Sequence, residues 1–298
     1  LTRLAGQQVE LVEITTSGDR SSAPISTLGV GVFVSALREA LRAKEVDLAV
    51  HSYKDLPSAA PDDLAIAAVP ERADPRDALV ARDGLTLDGL PTGARVGTSA
   101  VRRVAQLLAI RPDLDVVPLR GNVDTRLRKL AGSAPREGTP RSGSELDAIV
   151  VAYAGLSRLN RADAVTEILD PDRMLPAPAQ GALAVECRAD QDDLVRLLGG
   201  TDHRLSRAAV TAERALLATL EAGCSAPVAG YATIVAGSTP MEQIDLRGAV
   251  FSPDGRTALR LRRSGTLASA EQLGRQLAAD LLDAGANTLL GVKDDPHP

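Results

Sequence analysis

The chain has 298 residues, enough for two or three domains, and its 44% hydrophobic and 24% charged residues are an ordinary balance for a protein in water. Aromatic residues make up 2% with no Trp, so the cores must rest on Leu, Val, Ile and Ala, and surfaces that stack bases or sugars are excluded. A net charge of −5 speaks against a polyanionic partner such as nucleic acid, yet the stretch 95–129 holds eight basic residues against three acids. That local excess suits either small anions or a pair of solvated helix faces.

In chain order, residues 9–14 read as a strand. Residues 32–43 read as a helix with Val34, Leu37 and Leu41 on one face, and 46–50 and 64–69 as strands. The polar run 71–77, with Pro75, is a crossing between domains. A second group follows: strand 95–97, helix 100–110, strand 116–119, helix 123–130 and strand 148–152. This rhythm predicts an α/β protein with a mostly parallel sheet. Residues 131–145, rich in Gly, Pro and Ser, are expected to form a surface loop. Strand 183–187 returns the chain to the first domain. Helix 204–222 ends at Gly223 as its C′ glycine. Strands 244–251 and 257–263 are joined through Pro253-Asp254-Gly255, and helix 268–284 closes a smaller third domain.

Cys187 and Cys224 are the only cysteines, and His51, His203 and His297 are scattered, so neither a disulfide framework nor a metal site is expected. No apolar stretch approaches the ~20 residues of a membrane span, and no secretory signal is present, which points to a reducing cytoplasm. The chain opens on Leu1, close to its first expected strand.

Four features carry chemistry. In Gly97-Thr98-Ser99-Ala100-Val101-Arg102-Arg103 a strand ends, Ser99 stands where an N-cap belongs, and two arginines fall in the first helical turn. Cations there oppose the helix dipole, at a cost on the order of a few tenths of a kcal/mol each. A bound carboxylate or phosphate would offset that cost, as would pairing with nearby acids. Leu119-Arg120-Gly121-Asn122-Val123-Asp124-Thr125-Arg126 repeats the theme. Both turns belong at the carboxyl ends of strands, where ligands collect in α/β sheets. The third feature, His51-Ser52-Tyr53-Lys54-Asp55-Leu56-Pro57, follows a buried strand. Asp55 is a candidate acid/base or cation-stabilising carboxylate, and Lys54 and Ser52 are candidates to hold an anion; the alternative is a plain exposed turn. His51 reads as a hydrogen-bonded core residue. The fourth, Gly223-Cys224-Ser225, follows a helix C-terminus, whose dipole disfavours a thiolate. Cys224 therefore reads as an inert loop cysteine or as a permanent attachment point that reacts once. Cys187 reads as structural.

Taken together, these segments resemble the porphobilinogen deaminase family. The matching stretches run from Val50-His51-Ser52-Tyr53-Lys54-Asp55-Leu56-Pro57 through Asp74-Pro75-Arg76-Asp77-Ala78, the two arginine turns, and Ala154-Gly155-Leu156 with Arg158. Leu175-Pro176-Ala177-Pro178-Ala179-Gln180-Gly181, Glu186-Cys187-Arg188 and Thr211-Ala212-Glu213-Arg214 follow, leading to Gly223-Cys224-Ser225. The resemblance implies an α/β fold with two lobes like those of type II periplasmic-binding proteins plus a small α/β C-terminal domain. Its divisions would be 1–71 with 182–199 for domain 1, 76–175 for domain 2 and 204–298 for domain 3. It implies a covalent dipyrromethane cofactor on Cys224 through a thioether, and Asp55 as the catalytic residue near the pyrrole nitrogens. A preorganised carboxylate would stabilise the azafulvene cation left when porphobilinogen loses ammonia. Arg102, Arg103, Arg120 and Arg126 would bind acetate and propionate groups. Ser52, Lys54, Thr98 and Ser99 would add contacts, as would Arg158, Gln180 and, near the cofactor, Asp19. The reaction implied is the head-to-tail joining of four porphobilinogens into hydroxymethylbilane, in haem biosynthesis, by a monomer that needs neither nucleic acid, membrane nor metal.

Two departures from the family are visible. The family begins with a strand and a helix start bearing an active-site Arg and Ser, and this sequence has no such opening segment. The family also often carries lysines in a loop where this chain has Ser26 and Val30. On residues alone two rivals remain: a two-lobed protein that holds a small anion without chemistry, and the ligand-sensing part of a transcription regulator.

Overall fold

Three separate sheets organise the chain, each set by where its apolar side chains alternate. The computed structural model describes residues 6, 8–14, 32–59, 61–132, 145–221, 226–236 and 242–290. Asp19, Ser26, Val30 and Cys224 lie outside the described residues.

The strands are β1 (Leu48–Ser52), β2 (Leu64–Ala68), β3 (Asp77–Ala81), β4 (Arg95–Gly97), β5 (Asp115–Val117), β6 (Ala148–Ala152), β7 (Glu167–Ile168), β8 (Leu183–Arg188), β9 (Val228–Ala236), β10 (Glu242–Phe251) and β11 (Ala258–Thr266). The helices used below are α1 (Val32–Arg42), α2 (Val101–Ile110), α3 (Val123–Gly132), α4 (Tyr153–Arg158), α5 (Asp192–Gly199), α6 (Arg204–Thr219) and α7 (Ala270–Asp283).

The first sheet runs β1-β8-β2 and is antiparallel throughout, with Ala49 opposite Glu186 and Val50 opposite Val185. Helix α1 covers it with Val34, Leu37 and Leu41, the stripe expected from sequence. The second sheet runs β5-β4-β6-β3-β7. Here β5, β4 and β6 are parallel, since α2 and α3 supply the crossovers that parallel neighbours need, while β3 is antiparallel to both β6 and β7. Strand β3 is buried on both faces: Leu79 and Ala81 pack with Val96 and Leu107, and Ala78 and Val80 with Leu119 and Leu127. The third sheet, β11-β10-β9, is antiparallel and packs one face on α6 and α7 through Ile244, Leu246, Leu216 and Leu277. Its other face meets α2, with Ala229, Ala249 and Phe251 against Ala105 and Leu175. The architecture is thus two α/β lobes and a smaller α/β domain.

Several expectations are corrected. The sheets are not mostly parallel, because the alternation of apolar residues reports burial and not strand direction. Residues 8–14 form no strand; no neighbour pairs with them among the described residues, and Leu11 is 95% exposed. Strands β3 and β9 and helix α5 lie where no element was expected. Helix α6 stops at Thr219, and Glu221 at φ +50° takes the left-handed position assigned to Gly223, which lies outside the described residues.

Two crossings join the lobes and lie side by side. Ala73 N–H donates to Gly181 O (3.1 Å) and Gln180 Nε2 to Pro75 O (2.7 Å). Gly181 has φ +84°, and a Cβ there would lie 2.5 Å from Ala73 O, so only glycine lets the crossings meet.

Candidate active site

Strand β1 ends at Ser52, exposed at the sheet edge, and the chain turns at once through a single 3₁₀ turn, Tyr53–Asp55. So short a helix fixes few dihedrals by itself. Its hold comes from outside: Tyr53 N–H donates to Ala182 O (3.0 Å), beside the second crossing. The turn leaves Asp55 exposed and Lys54 partly buried, with Lys54 Nζ donating to Gln180 Oε1 at 3.2 Å. His51, one residue before Ser52, is buried with Nε2 3.2 Å from Glu186 Oε2, and Arg38 also holds that carboxylate. The expectation of a core histidine holds.

On the second lobe the two arginine turns are clasped together. Ser99 Oγ donates to Leu119 O (2.8 Å) and accepts from Leu119 N–H (3.0 Å). The approach is close, since a Cβ on Gly97 would lie 2.9 Å from Leu119 Cδ2. Ser99 is therefore not the N-cap it was expected to be; Ala100 holds that place and caps nothing with its side chain. Thr98 is buried, and its N–H donates to Val117 O. In the second turn Asn122 Oδ1 accepts from Thr125 N–H (2.9 Å), and Arg126 Nε donates to Gly121 O (2.7 Å).

Arg102 and Arg103 are both buried, and both bind Asp77. Arg102 Nη1 donates to Oδ2 at 2.7 Å and Arg103 Nη2 to Oδ1 at 2.7 Å. Of the two features that offset their cost in the first helical turn, the pairing with a nearby acid is seen here. Gln180, also fully buried, donates from Nε2 to Asp77 Oδ1 (2.8 Å) and accepts on Oε1 from Arg102 (3.0 Å). Burial alone would raise the Asp77 carboxyl, but the two guanidiniums outweigh it and hold it well below the usual carboxylate range. Burial lowers Lys54 to about 8, helped by Arg103 and Arg102 and opposed by Asp55. Burial likewise lowers Arg126, with Arg103 and Arg120 acting in the same direction and Asp55 opposing them.

These couplings place Asp55 of the first lobe in the field of Arg126 of the second. The cluster joined through Lys54 and Arg126 holds five cations (Lys54, Arg102, Arg103, Arg120 and Arg126) and two carboxylates, Asp55 and Asp77. The wall stays cationic after its internal pairing, and Asp55 is its exposed carboxylate. Arg158 donates to Gly181 O (2.8 Å), and burial lowers its guanidinium. This donor set fits a chain of carboxylated pyrroles, which needs cations for its acid side chains and a carboxylate for its ring N–H groups.

Sequence reasoning did not single out Asp77, although it lies within the stretch Asp74-Pro75-Arg76-Asp77-Ala78. Nor did it single out Glu213, which is fully buried on α6. Glu213 accepts from Arg72 Nη1 (2.7 Å) on the first crossing, from Ala179 N–H (2.6 Å) on the second and from Ala232 N–H (2.7 Å) on β9.

Residues 1–196 match the model of the family described as "Porphobilinogen deaminase, dipyromethane cofactor binding domain", and residues 207–283 match its C-terminal domain. A porphobilinogen deaminase of Mycobacterium tuberculosis is 55% identical over 293 residues, covering 97% of this chain and 91% of that protein. One of Nocardia farcinica is 54% identical over 290 residues, covering 96% and 81%. With both parts of the family model matched in order along its length, the chain belongs to the porphobilinogen deaminase family.

Proposed function

We propose that this chain joins four porphobilinogens head to tail, with loss of ammonia, and releases them as hydroxymethylbilane, working on a dipyrromethane held through a thioether to Cys224. The observation that carries the reading is an exposed carboxylate, Asp55, set among cations of both lobes. When bound, the dipyrromethane supplies the pyrrole carbon to which the first substrate is added.

The chain's own residues do the rest. Asp55 faces the positive charge that develops on the substrate as ammonia departs, and a fixed carboxylate stabilises that charge without reorganising. It also accepts the pyrrole N–H proton at a carboxylate oxygen. Arg102 and Arg103 also donate to Leu175 O, Val150 O and Gln180 Oε1, but their two charges exceed the one carboxylate of Asp77, and with Lys54, Arg120 and Arg126 they hold acetate and propionate groups. Ser52, Thr98, Ser99, Arg158 and Gln180 add neutral and charged contacts, and Asp19 stands near the cofactor. Domain 1 comprises 1–71 and 182–199, domain 2 comprises 76–175, and domain 3 comprises 204–298. The protein acts as a monomer in the cytoplasm; no helix among the described residues is long and apolar enough to cross a membrane.

Intact mass tests the reading. Protein made in cells that synthesise haem should exceed its sequence mass by one dipyrromethane, and Cys224→Ser should lose the excess. A wild-type mass equal to the sequence alone, in protein that also leaves porphobilinogen unchanged, would remove it.

A further inference from the structure

We propose that Arg214 is a positioning residue for this reaction: it clamps the turn bearing Lys54 and Asp55 to the helix that leads into the cofactor-attachment segment. The inference rests on the function proposed above.

Arg214 lies on α6, in the third domain, yet its guanidinium reaches the first lobe. Nη1 donates to Tyr53 O (3.3 Å) and Leu56 O (3.1 Å), and Nη2 donates to Pro57 O (2.6 Å). The same group stands over the Tyr53 ring, 4.5 Å from its centroid. Within the turn itself the closing backbone bond is Leu56 N–H to Tyr53 O at 3.3 Å, which is long. The carbonyls on either side of Asp55 are therefore gathered by a side chain from another domain. Only a planar fork reaches three carbonyls while its face rests on a ring; a lysine in its place offers one point charge.

The other end of the clamp is equally fixed. Arg214 directly follows Glu213, whose carboxylate bonds both crossings and β9, so α6 is immobilised at this level. Cys224 lies ten residues further along the chain. The carboxylate that acts and the helix that precedes Cys224 in sequence thus share one reference point. Asp55 is coupled by field to Arg126, and loosening the turn would move the carboxylate while leaving the arginines of the second lobe in place. The larger loss should therefore fall on turnover, with a smaller loss of substrate affinity through Lys54, which shares the turn.

The test uses holoenzyme carrying Arg214→Gln or Arg214→Lys beside wild type. Both variants should keep the cofactor mass. Their kcat should fall about 10–100-fold with KM within about threefold, the mark of an interaction used mainly in the transition state. Deuterium uptake by amides 53–56 should rise while α6 stays protected. In an Asp55→Asn background, adding Arg214→Gln should change kcat by less than about twofold, because both substitutions would remove the same contribution. Arg214→Lys reads the same quantities if the glutamine variant folds poorly. An unchanged kcat, a loss confined to KM, or losses that multiply in the double variant would overturn the clamp. If wild type itself leaves porphobilinogen unchanged, the functional reading fails; unaltered deuterium uptake at amides 53–56 would separately show that no clamp exists.

Discussion

Lys54 Nζ donates to Gln180 Oε1 across 3.2 Å, and the same oxygen accepts from Arg102 Nη2 at 3.0 Å. A neutral amide on the second crossing thus lets a cation of the first lobe and a cation of the second share one acceptor while both keep their charge. Gln180 couples the lobes and preserves the positive field between them.

Replacing Gln180 by Glu adds a buried carboxylate to this cluster. The cationic excess falls, and KM for porphobilinogen should rise about tenfold, the equivalent of one lost charged contact. Gln180→Leu keeps the charge but leaves Pro75 O short of a donor and Lys54 short of an acceptor. Unfolding in urea should show a loss of about 2–3 kcal/mol.

Asp55→Asn keeps shape and removes charge. Steady-state rates should fall about 10²–10³-fold, the scale on which a single preorganised electrostatic contact acts. Intact mass should show the dipyrromethane still in place. A rate equal to wild type would remove Asp55 from the mechanism.

Lys54 gives the protein a pH dependence. Burial, with Arg103 and Arg102, brings it from the ordinary 10.5 to about 8. Below that pH it is charged and grips carboxylates; above it the grip is lost. In the free enzyme kcat/KM should therefore decline as pH rises through about 8. Stability moves the other way: between the lowered pKa and the ordinary one the unfolded chain binds the extra proton, so this group's contribution grows with pH. Lys54→Arg should keep binding and abolish the decline, and a decline that persists in that variant would assign it elsewhere.

Asp77→Asn strands two buried guanidiniums, Arg102 and Arg103, without their carboxylate. Breaking such a pairing costs about 3–5 kcal/mol. Because the Asp77 carboxyl is held below the usual range, its stabilisation is complete at neutral pH and fades as acid passes through that range and lower. Denaturant midpoints of wild type and variant should be far apart at about pH 7 and should draw together only as pH falls below about 4.

Much of this site was legible in the residues. A turn straight after a buried strand marked Lys54 and Asp55, and arginines in the wrong place for a helix dipole marked Arg102 and Arg103. What hid was the acid that answers them. Asp77 closes a polar run that reads as a crossing between domains, yet it opens the fully buried β3. Its partners are 25 and 26 residues away, a relation only the folded chain creates. Glu213 hid for a similar reason: among the residues of a long helix, nothing local separates a carboxylate facing solvent from one facing three donors. Strand direction was illegible because period-two alternation is the same for parallel and antiparallel neighbours.

Glu213 has one more consequence. Both crossings and the third sheet are bonded to its two oxygens, so the three parts lose a shared anchor together. Heating should therefore undo the chain in a single all-or-none transition, with calorimetric and van't Hoff enthalpies in agreement. Glu213→Gln should split that event into separate melting steps.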